Sequence, residues 1–320
     1  MTQAILSLGD LQVHFAVRGP FSRRIGSIKA VDGVSFDLMP GEVFGLVGES
    51  GCGKSTLGKA IMGIHKPTAG EIWFEGQRID ELAPAARRAV RRSLQYAYQD
   101  PGASLDPRWK IGSSLHEPLV IHTDLDQAAR EKRIRSILEA VGLPDTHLDL
   151  YPHEISGGQQ RRVGLARILT LHPKVVILDE PTSGLDVSVQ ATVLSLFRGL
   201  RATFDLTYVL ISHDLAVIRT MCSRVAVMYL GRIVESGPTE AIFDRPRHPY
   251  TRSLVAAIPK IGGARVTKDF WLQGEPPDPG NLPSGCRFRT RCPKAADLCA
   301  REEPVLSPLA PGSVACHFPD

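Results

Sequence analysis

No apolar run in this chain of 320 residues approaches the roughly 18 consecutive residues that a helix needs to span a bilayer. A helical membrane subunit is therefore not expected. Residues Met1 to Asp10 lack the basic head and apolar stretch of a secretory signal, so the cytosol is the expected compartment. Charge of one sign is also scarce: 38 Lys and Arg against 34 Asp and Glu leave a net charge of +4. Without a basic stripe interleaved with aromatics, no nucleic-acid partner is expected. The densest basic cluster, Arg87, Arg88, Arg91 and Arg92, reads as a solvated helix face. Cysteines number six, and in a reducing compartment they are not expected to form structural disulfides. A hydrophobic content of 43% suits a globular chain with one good core and smaller appendages.

What is present begins with Gly48-Glu49-Ser50-Gly51-Cys52-Gly53-Lys54-Ser55-Thr56, which fits G-x-x-x-x-G-K-[ST] and follows the strand-like run Val43 to Val47. Glycines at Gly48, Gly51 and Gly53 let backbone N–H groups curl onto a polyphosphate. The helix that starts near Lys54 aims its positive end there. Lys54 reaches the β- and γ-phosphates, and Ser55 is suited to ligate magnesium. Cys52 and Cys222 read as small packing residues, with Cys52 placed at a helix N-terminus where a thiol pKa can fall and oxidation become possible.

Lys174 to Glu180 is a buried-strand run ending in two carboxylates, of which Asp179 suits the magnesium shell and Glu180 suits polarising a water. Upstream, Ser156 with Gly157, Gly158 and Gln159 opens a predicted helix through Thr170 and forms a second anion site. Downstream, Ser183 to Asp186 reads as a turn, and the strand run Val209 to Ser212 delivers His213 at its end. Strand-like segments cover Leu6 to Val17, Ile28 to Leu38 and Glu71 to Phe74. Helical spacing runs through Asp126 to Val141, where Ile134, Ile137, Leu138 and Val141 recur, and through Val187 to Leu200.

Taken in order, these pieces resemble the ATP-binding cassette family over essentially the whole chain. The resemblance implies an α/β fold: a P-loop ATPase cassette with an antiparallel β layer, a helical subdomain and a small Cys-containing C-terminal domain. The implied boundaries are 1–98 and 160–250 for the nucleotide-binding core, 99–159 for the helical signature subdomain and 251–320 for the C-terminal domain. ATP and Mg2+ are the implied ligands. Gly48, Ser50, Gly51, Gly53, Lys54, Ser55 and Thr56 match the phosphate loop, and Phe15 sits where an aromatic stacks on adenine, with a core strand residue as the alternative. Gln99 matches the glutamine that senses magnesium, Asp179 a metal ligand and Glu180 the general base, and His213 completes the catalytic set that serves this chain's own ATP. Ser156, Gly157, Gly158 and Gln159 match the signature, preceded by Ile155 where the family usually has leucine, and Asp186 closes the turn after the base. In the family two cassettes pack head to tail, so each ATP lies between one chain's loop and the other's signature.

Gln99-Asp100-Pro101, Ser104 to Arg108, Tyr151 to Glu154, Ala226 to Gly231 and Arg247 to Thr251 together look like the subfamily of oligopeptide and dipeptide importers, which nickel, glutathione and opine importers share. The implied partners are a second cassette, a nonidentical paralogue, two transmembrane permease subunits and an extracytoplasmic solute-binding protein. The implied location is the cytoplasmic face of the inner membrane, as a peripheral subunit. The rival reading is a soluble cassette ATPase that acts on nucleic acid or ribosomes, against which stand the single cassette and compact helical insert.

Cys286, Cys292, Cys299 and Cys316 crowd the Pro-rich end after Pro259, spaced by five, six and sixteen residues. Their spacing suits a four-thiolate metal site without matching the usual zinc or ferredoxin patterns. The resemblance to peptide-importer C-terminal domains, some of which carry a cluster there, implies an iron–sulfur [4Fe-4S] cluster, with Zn2+ and packed reduced thiols as the alternatives.

Overall fold

The structure is a computed structural model that describes residues 3–18, 24–99, 102–258 and 274–320. Asp100, Pro101 and Pro259 lie outside the described residues. The chain divides into two compact units, Met1–Asp80 with Leu210–Asp320, and Glu81–Val209.

In the first unit, β1 (Leu6–Arg18) and β2 (Arg24–Leu38) form a long antiparallel pair, with β4 (Ala69–Phe74) and β5 (Gln77–Arg78) continuing the sheet in the order β2-β1-β4-β5. One face is buried by alternation: Leu6 and Leu8, Val34, Phe36 and Leu38, Ile72 and Phe74 all point inward. A register shift between Leu8 and Leu11, with Asp10 at φ 45°, switches the buried set of β1 to Leu11 and Val13. That is what an extra residue in one strand does, because side-chain direction has a period of two.

β3 (Val43–Val47) is buried at all five positions and runs parallel to β9 (Arg224–Tyr229), as expected of a strand covered on both faces. α1 (Lys54–Ile61) follows β3 and buries Leu57, Ala60 and Ile61. β9 returns antiparallel as β10 (Arg232–Pro238) through Leu230 and Gly231, at φ 41° and 86°. Two left-handed residues in succession give the tight turn whose twist matches its strands. β12 (Gly312–Val314) pairs with β10, and β11 (Ser307–Leu309) with β12, so the strand order in this unit is β11-β12-β10-β9-β3. The far end of the chain thus completes a sheet begun near residue 43. Short helices α7 (Leu215–Met221), α8 (Thr239–Asp244), α9 (Pro249–Ala256) and α10 (Asp297–Arg301) pack around these strands.

The second unit holds α2 (Pro84–Ser93), which buries no residue; Arg88, Arg91 and Arg92 are exposed, whereas Arg87 is half-buried and donates to the carbonyl of Leu82. β6 (Leu94–Ala97) lies parallel to the fully buried β7 (Val175–Asp179), with Tyr96 opposite Ile177. α3 (Ile111–His122), α4 (Gln127–Ala140), α5 (Gly157–Leu169) and α6 (Val187–Phe204) make up the rest. Asp126 and Asp186 cap α4 and α6 by accepting from Ala129 and Val189 N–H groups, and Ile134, Ile137 and Leu138 form the buried stripe of α4. β8 (Thr207–Ser212), buried throughout, carries the chain back into the first unit. Among the described residues no helix is long and apolar enough to cross a membrane.

The start of α9 is fastened by two buried titratable groups. The Glu235 carboxylate on β10 accepts the N–H groups of Arg247 (2.7 Å) and His248 (2.9 Å), and His248 Nδ1 accepts the N–H of Tyr250 (3.0 Å). Burial pushes the His248 imidazole down to about 3 and pushes the Glu235 carboxyl up. Below the unfolded histidine value of 6.5 the unfolded chain binds a proton that the folded one refuses. The His248 contribution therefore falls as pH drops from 6.5 towards 3, by about 1.4 kcal/mol per pH unit. Glu235 works in the opposite sense, so its effect must be subtracted. Urea titrations between pH 6.5 and 4 are expected to show H248N with a pH slope one proton shallower than that of the unsubstituted chain. Equal slopes would mean that His248 is protonated in the folded state.

Candidate nucleotide-binding site

In the first unit, the loop from Gly48 to Gly53 links the buried end of β3 to the first turn of α1. Gly48 (φ 153°) and Gly53 (φ 109°) adopt backbone angles that L residues avoid. A Cβ at Gly48 would lie 2.1 Å from the carbonyl oxygen of Met228, and one at Gly53 would lie 2.0 Å from that of Ala30. The loop is therefore packed backbone against backbone. Ser50 and Gly51 are exposed at its tip, and Ser55 and Thr56 are half-buried in the first helical turn. Lys54 is buried, with Nζ donating to the carbonyls of Gly48 (2.8 Å) and Glu49 (2.9 Å), so its charge lies against the loop itself. A concave loop of backbone, a helix N-terminus and an ammonium group fit a polyphosphate.

Two more predicted residues lie in this unit. Phe15 on β1 is 38% exposed and meets His65 edge-on, ring centroids 5.2 Å apart, which leaves a face open to stacking. His213 is exposed directly after β8, ahead of Asp214, whose carboxylate caps α7.

In the second unit, Asp179 ends β7, buried, and its Oδ2 accepts the hydroxyl of Tyr96 at 2.5 Å. Burial and the adjoining carboxylate together push the Tyr96 phenol far above its ordinary value, so it remains a donor. Glu180 follows at φ 50°, a left-handed position uncommon for a non-glycine residue, which turns the chain sharply after the strand. Gln99 is exposed beyond β6 and donates from Nε2 to Ser183 Oγ (3.1 Å), which brings it to the turn that follows Glu180. The hydroxyl of Ser55 and the carboxylate of Asp179 are hard oxygen donors of the kind Mg2+ takes.

The signature segment forms a reciprocal cap. Ser156 Oγ accepts the N–H of Gln159 (3.3 Å), and Gln159 Oε1 accepts the N–H of Ser156 (2.8 Å). Gly157 and Gly158 are exposed, and a Cβ at either would meet nothing within 4 Å. Nothing inside the chain requires glycine at either position. Asp186 is exposed, with its carboxyl held below the usual range by the N–H of Val189 and the hydroxyl of Ser188.

Sequence reasoning missed Tyr96 and misread the cysteines. Among the described residues no group of three or more His, Cys, Asp or Glu side chains is arranged to hold a metal ion, which overturns the expected [4Fe-4S] cluster at Cys286, Cys292, Cys299 and Cys316, and the zinc alternative with it. All six cysteines are free thiols. Burial pushes Cys286 up to about 11 and raises Cys292 and Cys316, with the neighbouring thiols adding to the effect. Cys52 is buried, as a packing residue should be, and burial raises its pKa and outweighs the nearby Lys54 ammonium, so the helix-end activation does not apply.

The family described as ABC transporter matches residues 31–183, and the family described as the oligopeptide/dipeptide transporter C-terminal region matches residues 234–299. The chain is 45% identical to the oligopeptide transport ATP-binding protein AppF of Bacillus subtilis, over 99% of this chain and 98% of that one. It is 44% identical to the di/tripeptide transport ATP-binding protein DppF of Pseudomonas aeruginosa, over 98% of each. Among solved structures it resembles the ATP-binding cassette MJ0796, a dimer bound to ADP and Pi in a post-hydrolysis state, with a TM-score of 0.64 and 25% identity over 73% of this chain and 98% of that one. Phosphate loop, paired carboxylates, capped glycine-bearing helix end and full-length similarity agree: this chain belongs to the ATP-binding cassette family of transporter ATPases.

Proposed function

We propose that the chain is the ATP-hydrolysing subunit of a peptide importer and works at the cytoplasmic face of the inner membrane beside two permease subunits. The observation that carries this reading is the conjunction of a complete ATPase residue set with a C-terminal region matched by the oligopeptide/dipeptide transporter family. The soluble alternative is disfavoured because relatives similar along nearly their whole length are transport subunits.

In this reading the loop from Gly48 to Thr56 binds the phosphates and Lys54 offsets their charge. Phe15 stacks on the base. Bound Mg2+ would balance charge on the phosphates, with Ser55, Gln99 and Asp179 as its side-chain partners. Glu180 accepts the proton of the attacking water, and His213 holds the transferred phosphate's oxygens as charge builds. Tyr96 keeps the Asp179 carboxylate fixed in one orientation.

Ser156, Gly157, Gly158 and Gln159 serve the ATP of a second cassette, a nonidentical paralogue. The open space around both glycines supports this, because it leaves room for close approach by another molecule. The MJ0796 cassette is itself dimeric. The permease is assigned to the second unit, where a groove of about 310 Å³ beside Gln99 is lined by Tyr96, Tyr98, Glu117, Ile121 and Arg167. Tyr98 and Ile121 are 47% and 53% exposed there and offer a partner apolar surface to cover. A solute-binding protein outside the membrane supplies the peptide.

Glu180→Gln is expected to bind ATP normally and to hydrolyse it about a hundred-fold to ten-thousand-fold more slowly, measured by phosphate release. Turnover near the unsubstituted rate would remove Glu180 as the base. Tyr96→Phe should raise the Mg2+ concentration needed for half-maximal activity several-fold while leaving ATP affinity within twofold, as read from metal titrations at fixed ATP. In the reconstituted transporter, Ile121→Asp should abolish peptide-stimulated hydrolysis while the isolated subunit keeps its basal rate; stimulation at full strength would place the permease elsewhere.

A further inference from the structure

Glu49 is the single carboxylate inside the phosphate loop. Each of its polar groups is engaged, and two of its partners, Tyr250 and Arg291, come from the C-terminal part of the chain. Its N–H donates to the hydroxyl of Tyr250 on α9 (2.9 Å), and its carbonyl accepts Lys54 Nζ (2.9 Å). Its carboxylate receives a two-pronged hydrogen bond from Arg291, Nη1 to Oε2 at 2.6 Å and Nη2 to Oε1 at 3.0 Å. The Arg291 side chain is 4% exposed, and its guanidinium also reaches the Tyr229 hydroxyl (3.4 Å) with its central carbon 5.9 Å from that ring's centroid. Tyr229, Tyr250 and Phe288 pack ring to ring beside it. Arg287, four residues earlier, is anchored in the same way to the carbonyl of Leu230, to Asp32 and to Glu303.

A carboxylate in a loop built for a polyanion works against its ligand unless it is neutralised and held. A bidentate guanidinium does both, with a rigidity that an ammonium lacks. We propose that Arg291 is a positioning residue for ATP binding: it holds and neutralises Glu49, so that the C-terminal region completes the phosphate loop. The inference rests on the reading of Gly48 to Thr56 as the ATP site.

The test is a double-mutant cycle of charge-neutralising substitutions read as affinity for a fluorescent ATP analogue, with circular dichroism and thermal melting to show that each variant is folded. Arg291→Gln leaves Glu49 bare and is expected to weaken binding about tenfold, with the deficit shrinking as ionic strength rises. Adding Glu49→Gln to it should restore affinity to within about threefold of the unsubstituted chain, and Glu49→Gln alone should bind at least as tightly as that chain. In turnover the Arg291→Gln defect should sit in KM and leave kcat within twofold. Arg291→Lys, which keeps the charge but not the fork, should fall between and serves should Arg291→Gln fail to fold. An Arg291→Gln chain that binds normally, or a double variant as weak as the single one, would overturn the proposal while leaving the ATP site intact. An unsubstituted chain that binds no analogue would overturn the site reading, and the proposal with it.

Discussion

The approach of three stretches of backbone around the phosphate loop is the constraint on which the first unit depends. Gly48 lies against the carbonyl of Met228 and Gly53 against that of Ala30, each with no room for a Cβ. The Leu230-Gly231 turn closes the arrangement: Gly231 N–H donates to the carbonyl of Cys52 and its own carbonyl accepts the N–H of Asp32, both at 2.9 Å. The loop, the middle of β2 and the β9–β10 turn therefore share one set of main-chain hydrogen bonds. No Cβ fits at either glycine, so the junction's shape is set by glycines and by what braces it from outside.

The brace is ionic. Asp32, 4% exposed, receives His14 at 2.8 Å and Lys29 and Arg232 at 3.5 Å, and Arg287 donates to it directly. Burial would raise the Asp32 carboxyl, but Arg287, His14 and Lys29 outweigh it and hold the group at about 2. Buried ion pairs contribute little net stability against an apolar alternative, yet losing one partner costs several kcal/mol because the other charge stays behind. Such a cluster specifies where the C-terminal region sits more than it stabilises the fold. Arg287 also donates to the carbonyl of Leu230, so the group that neutralises Asp32 grips the turn that holds the phosphate loop.

What could be read from the sequence was local. The loop with its strand and helix, the carboxylates after β7, the capped start of α5 and the stripe of α4 each declare themselves within a dozen residues, where period, capping and glycine placement carry the information. Tyr96 was hidden because its partner Asp179 lies 83 residues on, and only the parallel register of β6 and β7 brings them together. The pairing of β12 with β10 and the Glu49–Arg291 contact were invisible for the same reason. The cysteines failed differently. Spacing reports neighbourhood, and the thiols do feel one another, but ligation depends on side chains converging on one point, which no such group among the described residues does. Burial also decided Cys52 against a helix-end effect that sequence position suggested.

Glu49 and Arg291 are separated by 242 residues. A chain emerging from the ribosome makes the loop early and its brace late, and long-range contacts of this kind form only after the intervening chain is paid out and closed. The local motif that defines a phosphate loop is complete by residue 56, yet the residue that fixes its lone carboxylate has not been synthesised until some nine-tenths of the chain exists. A nascent cassette of this design therefore carries a recognisable but unbraced nucleotide site through most of its synthesis.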